Sequence, residues 1–335
     1  MLADMVKNVN DFLYNLMEVG VPEDVKRMVM SLGQEGKVAL VNWYDEESNF
    51  HKYADIKNNI HHFGINTDSH MMIYHYTTVD SLEKILNSGY FRIKASDNMN
   101  DPDEFRWASK VGLSHLKEYG ANHEELMAFN NMINTQPFKD SYIWSFTKNE
   151  DSQNLFNVYG DKSGVAIGFD LSDVMVLLAS HNSNGKQDLL QLKSGDAFTF
   201  PLKVEYRKSE QEKYIYPVVE EWLYAYRTFK SDPYDMKQIM LCCSKNMFLF
   251  NMVFKNPVLR QEEELRFVVI RIGNGQRNPE IEVNGIPYTK CQVTRNLMKS
   301  VKLQTNNSCS IDQMKKLLNK YECNNTTVNK SNIPY

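Results

Sequence analysis

Residues 71–94 read MMIYHYTTVDSLEKILNSGYFRIK. Met71 to Thr77 is a short run rich in β-forming types, bounded by a residue that starts something else. Thr78 offers a side-chain oxygen to a helix N-terminus, Ser81 to Leu86 carries helical apolar spacing, and Gly89 supplies the stop. Tyr90 to Lys94 then resumes as a strand. A strand, a helix and a second strand within about 25 residues give the nucleus of a mixed fold.

Downstream, Ala108 to Asn134 has helical period, with Leu113, Leu116, Leu126, Met127 and Met132 on its apolar face. Strands are expected at Tyr142–Phe146, Gly164–Phe169, Leu202–Arg207 and Leu265–Ile272, and near Val301. Helices are expected at Gln153–Tyr159, Glu220–Lys230, Asp235–Phe250 and Ile311–Tyr321, with a turn at Asn274 and Gly275 and a last extended segment. Irregular interleaving of helices and strands favours an α+β core over a doubly wound sheet. Upstream, Asp11–Val19 and Pro22–Leu32 read as short amphipathic helices split by Gly20. The expected division is a helical N-terminal appendage at 1–70 followed by one α+β domain at 71–335.

Composition narrows the partners. Lys plus Arg number 38 and Asp plus Glu 42, a net charge of −4. That excludes a chain held on nucleic acid by its overall charge, although a local basic surface can still do so. The five cysteines (Cys242, Cys243, Cys291, Cys309 and Cys323) are odd in number and form no CxxC pair, so neither a disulfide framework nor a zinc knuckle is expected. The most apolar stretches, Val174–Ala179 and Met247–Phe254, fall short of the ~20 residues that cross a bilayer. The N-terminus lacks a signal-peptide pattern, and a cytoplasmic protein with no membrane association is expected. His61, His62 and His70 have no acidic or thiol ligand at useful spacing, so no metal is expected there.

Three polar segments carry candidate chemistry. Tyr74, His75, Tyr76 and Thr77 place a histidine among aromatics on a strand. Asn100, Asp101 and Glu104 lie in the loop SDNMNDPDEF. Glu262, Glu264 and Arg266 share one face if the chain there is extended. Taken one at a time, each has a plain structural reading: a hydrogen-bonded core histidine, a turn with a helix cap, and a solvated edge with an ion pair. A metal-dependent nuclease built from Asp101, Asp103, Glu104 and Glu205 with Lys208 has the wrong carboxylate-to-lysine spacing.

The order of the segments is more specific than any one of them. YHYTTVDSLEKILNSGYFRI, NMNDPDEF, IWSFT, NLFNVYGDKSGVAIGF, FKNPVLRQEEELRFVV and the closing SNIPY together resemble the bacterial domain-of-unknown-function family 2971, grouped with the ADP-ribosyltransferase-like superfamily. The resemblance covers 71–335. It implies a split β-sheet core with flanking helices and NAD as co-substrate in the cleft between two small sheets. By the same resemblance His75 corresponds to the residue that hydrogen-bonds the adenosine-side ribose, with Tyr76 and Thr77 beside the cofactor and Asn100 and Asp101 positioning it. Ser145 supplies a polar contact, Phe146 or Tyr159 a stack for nicotinamide, and Arg266 holds a carboxylate ionised. Glu262 and Glu264 match the late-strand carboxylate motif, with Glu264 the catalytic member.

The implied activity is transfer of ADP-ribose from NAD to a macromolecular acceptor, protein or nucleic acid, in a toxin or phage-defence setting. The alternatives are an NAD glycohydrolase and a catalytically inactive module that binds NAD or ADP-ribose. Residues 1–70 are left to an antitoxin or to a homodimer contact.

Overall fold

The opening segment folds where its residue types place it. β1 (Met72–Thr78) runs into the helix Val79–Ser88, and Thr78 accepts a hydrogen bond from the Ser81 backbone N–H at the helix start. Gly89 closes the helix at φ +76°, a left-handed conformation that costs glycine little, and β2 (Tyr90–Ala95) follows. The computed structural model describes residues 2–67, 70–99, 104–134, 140–186, 192–193, 196–273 and 276–333. The expected turn at Asn274 and Gly275 lies outside them.

Eight further strands complete a mixed α+β architecture: β3 (Ser141–Thr147), β4 (Gly164–Asp170), β5 (Ala197–Lys203), β6 (Glu264–Arg271), β7 (Ile281–Val283), β8 (Ile286–Gln292), β9 (Met298–Leu303) and β10 (Thr327–Lys330). They form one sheet in the order β10-β9-β4-β1-β3-β2-β8-β7, with β6 added to β3 and β5 to β6. Only β9 and β10 pair in parallel among these strands. One face of the sheet carries a continuous aromatic and aliphatic core in which Phe91, Trp144, Phe146, Phe169 and Phe267 meet, with ring centroids 4.7 to 5.7 Å apart.

The chain divides into two compact units. The sheet belongs to Phe63–Phe105, Phe138–Tyr206 and Lys255–Tyr335. A helical unit is assembled from Met1–His62, Arg106–Pro137 and Arg207–Phe254. The reading from sequence instead set 1–70 apart and kept 71–335 together. The long helix Lys208–Phe229 organises the helical unit, packing on Gln34–Tyr44, Asn49–Ala54, Trp107–Glu118 and Pro233–Val253. Trp222, Ile215, Val218 and Val219 lie buried along it. At its end Arg227 bridges Glu35 at 2.6 Å and Glu125 at 2.7 Å, and Thr228 packs so closely on Gly36 that a Cβ there would collide.

Several expected elements shift. The span Ala108–Asn134 is two helices, Trp107–Glu118 and His123–Asn134, broken at Gly120 with φ +85°. The strand expected at Leu202–Arg207 lies at Ala197–Lys203, where AFTFPLK pairs with β6 in full register. The helix expected from Glu220 begins at Lys208. It contains Pro217, whose ring and missing N–H usually end a helix, so its first half does not read as one. The helices Gln34–Tyr44, Asn49–Ala54, Ile56–Phe63 and Leu171–Ser183 and the strands β7 and β8 were not anticipated. No helix among the described residues is long and apolar enough to cross a membrane.

Candidate active site

β3 positions the site. Along one edge it pairs with β6 from Ser141↔Ile270 to Thr147↔Glu264. Along the other edge it meets β2 at Ile143 and Tyr142, and β1 only at Thr147 through Tyr74. Trp144 to Phe146 therefore have no strand partner on that edge among the described residues, and the sheet opens there. His75 fills the gap: its Nδ1 lies 2.9 Å from the Ser145 carbonyl oxygen. A carbonyl only accepts, which assigns the proton to Nδ1. Burial pushes the imidazole pKa down, and the bond to Ser145 opposes this only in part. The ring is thus neutral near pH 7, with Nε2 as an acceptor. Phe91, Trp144 and Phe146 surround it at centroid distances of 5.8 to 6.4 Å.

At the head of β6 lies a buried charge network. Arg266, fully buried, clasps Glu264 with Nε to Oε1 at 2.9 Å and Nη2 to Oε2 at 3.0 Å, and also pairs with Glu104. Lys255 Nζ lies 2.9 Å from Glu264 and 3.1 Å from Glu104, and bonds Glu262 as well. Burial alone would raise the Glu264 pKa; Arg266 and Lys255 outweigh it and hold the carboxyl below the usual carboxylate range, with a smaller contribution from the Ser145 hydroxyl. That hydroxyl is buried and makes no hydrogen bond of standard geometry. Glu262 goes the other way: burial, with the Glu264 and Glu104 charges, raises it more than Lys255 lowers it. Burial would lower the Lys255 pKa, but its three carboxylates raise it above the ordinary value. Three carboxylates against two cations leave the network one negative charge in excess.

These groups open onto a cleft of about 300 Å³, at the lower end of the range for small-molecule sites. His75, Tyr76, Thr77, Ser145, Phe146, Tyr159, Glu262 and Glu264, gathered from four separate stretches of sequence, all line it. Arg266 does not; it stands behind Glu264. Asn100 and Asp101 lie outside the described residues. The Tyr76 hydroxyl donates to the Asn149 carbonyl and accepts from the Ser152 N–H, both at 2.8 Å, so it pins the loop after β3 rather than waiting for a ligand. Tyr159 is 38% exposed at the end of the helix Gln153–Tyr159, and burial together with the nearby Glu262 charge pushes its phenol up to about 12.

Reading the sequence missed Lys255 as a member of this network, since a lysine in a loop ordinarily reads as solvated. It also missed Arg92 and Lys94 of β2, which line the cleft. Lys94 pairs with Ile143 and Glu264 with Thr147, four residues further along β3, so the basic and acidic walls stand roughly 13 Å apart along that strand. Among the described residues no group of three or more His, Cys, Asp or Glu side chains is arranged to hold a metal ion.

Neither the curated proteins nor the solved structures contain a match to this chain. Residues 155–267, which carry Tyr159, Lys255, Glu262, Glu264 and Arg266, match the family model described as Protein of unknown function (DUF2971).

Proposed function

We propose that the protein binds NAD in this cleft and transfers its ADP-ribose to a macromolecular acceptor, using an ADP-ribosyltransferase-like split sheet. The observation that carries the reading is the convergence of His75, Tyr159, Glu262 and Glu264 on one cleft. NAD presents an anionic pyrophosphate and, on nicotinamide, a cationic ring. Arg92 and Lys94 suit the first, and the carboxylate wall suits the second.

Breaking the bond between ribose C1′ and the nicotinamide nitrogen builds positive charge on the ribose, while nicotinamide leaves neutral and needs no acid. A carboxylate already ionised and fixed by Arg266 stabilises that charge without reorganising. Glu264 Oε1 accepts from Arg266 Nε and keeps a lone pair for a ribose hydroxyl. His75 Nε2 accepts from a second hydroxyl, and the exposed ring of Tyr159 stacks on nicotinamide.

A second reading, a module that binds NAD or ADP-ribose without turnover, draws support from the engagement of both Glu264 oxygens by Arg266 and Lys255. Incubation of purified protein with NAD labelled in the adenylate, with nicotinamide release followed in parallel, separates the two. Release together with a labelled macromolecule supports transfer. Heat of binding with no nicotinamide released sinks it in favour of the module. Release with all label in free ADP-ribose would mean a glycohydrolase.

A further inference from the structure

A second cavity adjoins the first. It measures about 490 Å³ and is lined by the residues at the ends of β3 and β5 and at the head of β6. Thr147 pairs with Glu264 and Lys203 with Leu265, so β3 and β5 flank β6 at this end. Lys148, just past β3, and Lys203, the last residue of β5, therefore stand about two strand spacings apart, roughly 10 Å. Arg260 joins them from the turn Pro257–Glu262. All three cations are exposed, and none makes an ion pair or side-chain hydrogen bond among the described residues.

The opposing charge is smaller. Glu263 is exposed in the groove, and Glu264 belongs to the network with one negative charge in excess, so two negative charges face three cations. Between the cations the floor is apolar and aromatic: Val204, Leu265 and the ring of Tyr206, whose hydroxyl accepts from the Glu264 N–H at 3.2 Å. A cationic rim over such a floor suits a ligand with phosphates outside and flat apolar faces within. An acidic peptide offers the charge but not the faces. Glu264 is common to this groove and to the cleft, so a ligand in the groove lies next to the residue that lines the proposed NAD site.

We propose that this groove binds single-stranded nucleic acid, and that a nucleic acid is the acceptor; the second clause rests on the transfer reading, the first does not. In the transfer, the C1′–nitrogen bond breaks with its electron pair leaving on nicotinamide. A lone pair of the acceptor forms the new bond to C1′, and the acceptor's proton passes to solvent.

Binding is read without NAD, by fluorescence anisotropy of a labelled 12-nucleotide single strand across a salt series. Neutralisation of three phosphates predicts a log–log salt slope of about −2. Replacing all three cations together, Lys148→Ala, Lys203→Ala and Arg260→Ala, should weaken binding at least tenfold and flatten that slope, with melting temperature unchanged. Salt-independent binding, equal affinity in the triple variant, or displacement by a glutamate-rich peptide of the same charge at equal concentration would each overturn the groove assignment. Label from NAD that resists nuclease and yields to protease would overturn the acceptor assignment. Because the oligonucleotide measurement contains no NAD, failure of the transfer reading leaves its result intact.

Discussion

Nδ1 of His75 donates to the Ser145 carbonyl oxygen at 2.9 Å, across the opening where β1 and β3 part. Burial lowers the His75 pKa in the folded protein, so the unfolded chain takes up a proton more readily once the pH drops below 6.5. Stability from this group is complete above pH 6.5 and declines as the pH falls through the lower folded pKa. Thermal melts between pH 7 and pH 5 should show this decline in the native protein and less of it in His75→Gln, which has no titration. Parallel curves for the two would count against a neutral buried imidazole.

The network at the head of β6 predicts unequal effects for its two cleft carboxylates. Glu264→Gln removes charge from Arg266 and Lys255 together and should lower stability by about 2 kcal/mol, as loss of charged hydrogen bonds does. If the transfer reading holds, NAD turnover should fall at least ~100-fold. Glu262→Gln, which bonds only Lys255 among the described residues, should leave the melting temperature nearly unchanged. If Glu264→Gln kept full turnover while Glu262→Gln lost it, the catalytic assignment would move to Glu262.

Arg266→Met leaves three carboxylates, Glu104, Glu262 and Glu264, with only Lys255 to balance them. A loss of about 3–5 kcal/mol is expected, on the order of 10 °C in melting temperature. Arg266→Lys should recover little, because an ammonium cannot reproduce the two-pronged contact with Glu264. Scanning calorimetry of the three proteins decides this.

Tyr159 is 38% exposed, so replacing it should disturb the fold little. If the ring stacks on the nicotinamide, Tyr159→Phe should keep KM, and Tyr159→Ala should raise it roughly tenfold, the ~1–3 kcal/mol range of base-on-aromatic stacking. Equal KM for both variants would remove the stack.

In the helical unit, Glu221 is 1% exposed, and Asn42 Nδ2 donates to it at 2.9 Å. Burial raises its pKa to about 8, with Asn42 opposing, so the folded protein holds a proton that the unfolded chain sheds above about pH 4.5. Stability from this group is greatest below pH 4.5 and is lost as the pH rises through 8; at pH 7 the cost is about 3 kcal/mol. Glu221→Gln should therefore raise the melting temperature at pH 7 to 8 and change it little at pH 5.

Local signals were legible where local chemistry decides the outcome. The Thr78 cap, the Gly89 stop and the β-run around His75 appear in the fold within a residue or two, because each depends on near neighbours in the chain. The same holds for β6, a continuous apolar run that only a central strand can bury. What stayed hidden depends on distant partners. Lys255 reads as a surface lysine until three carboxylates from separate segments close on it. Helix Leu171–Ser183 is apolar on nearly every side, so its period is faint; it is helical because its buried residues pack against the sheet. Of the site, His75, Ser145, Tyr159, Glu262 and Glu264 could be named from order along the chain, but the partial pairing of β1 with β3 that opens the cleft could not.

The three-segment helical unit bears on how the chain is made. Helices within Met1–His62 pack on Lys208–Phe229, so during synthesis they lack that partner until more than 140 further residues have been added. Contacts of such long sequence separation form slowly and leave apolar surface uncovered in the meantime. A chain shortened at residue 70 would lose not an accessory but one wall of that unit, with Trp222's helix exposed where Gln34–Tyr44 should lie. Its failure to act would report misfolding, so point changes on the outer surface of residues 1–62, rather than deletion, are the way to ask what that segment touches.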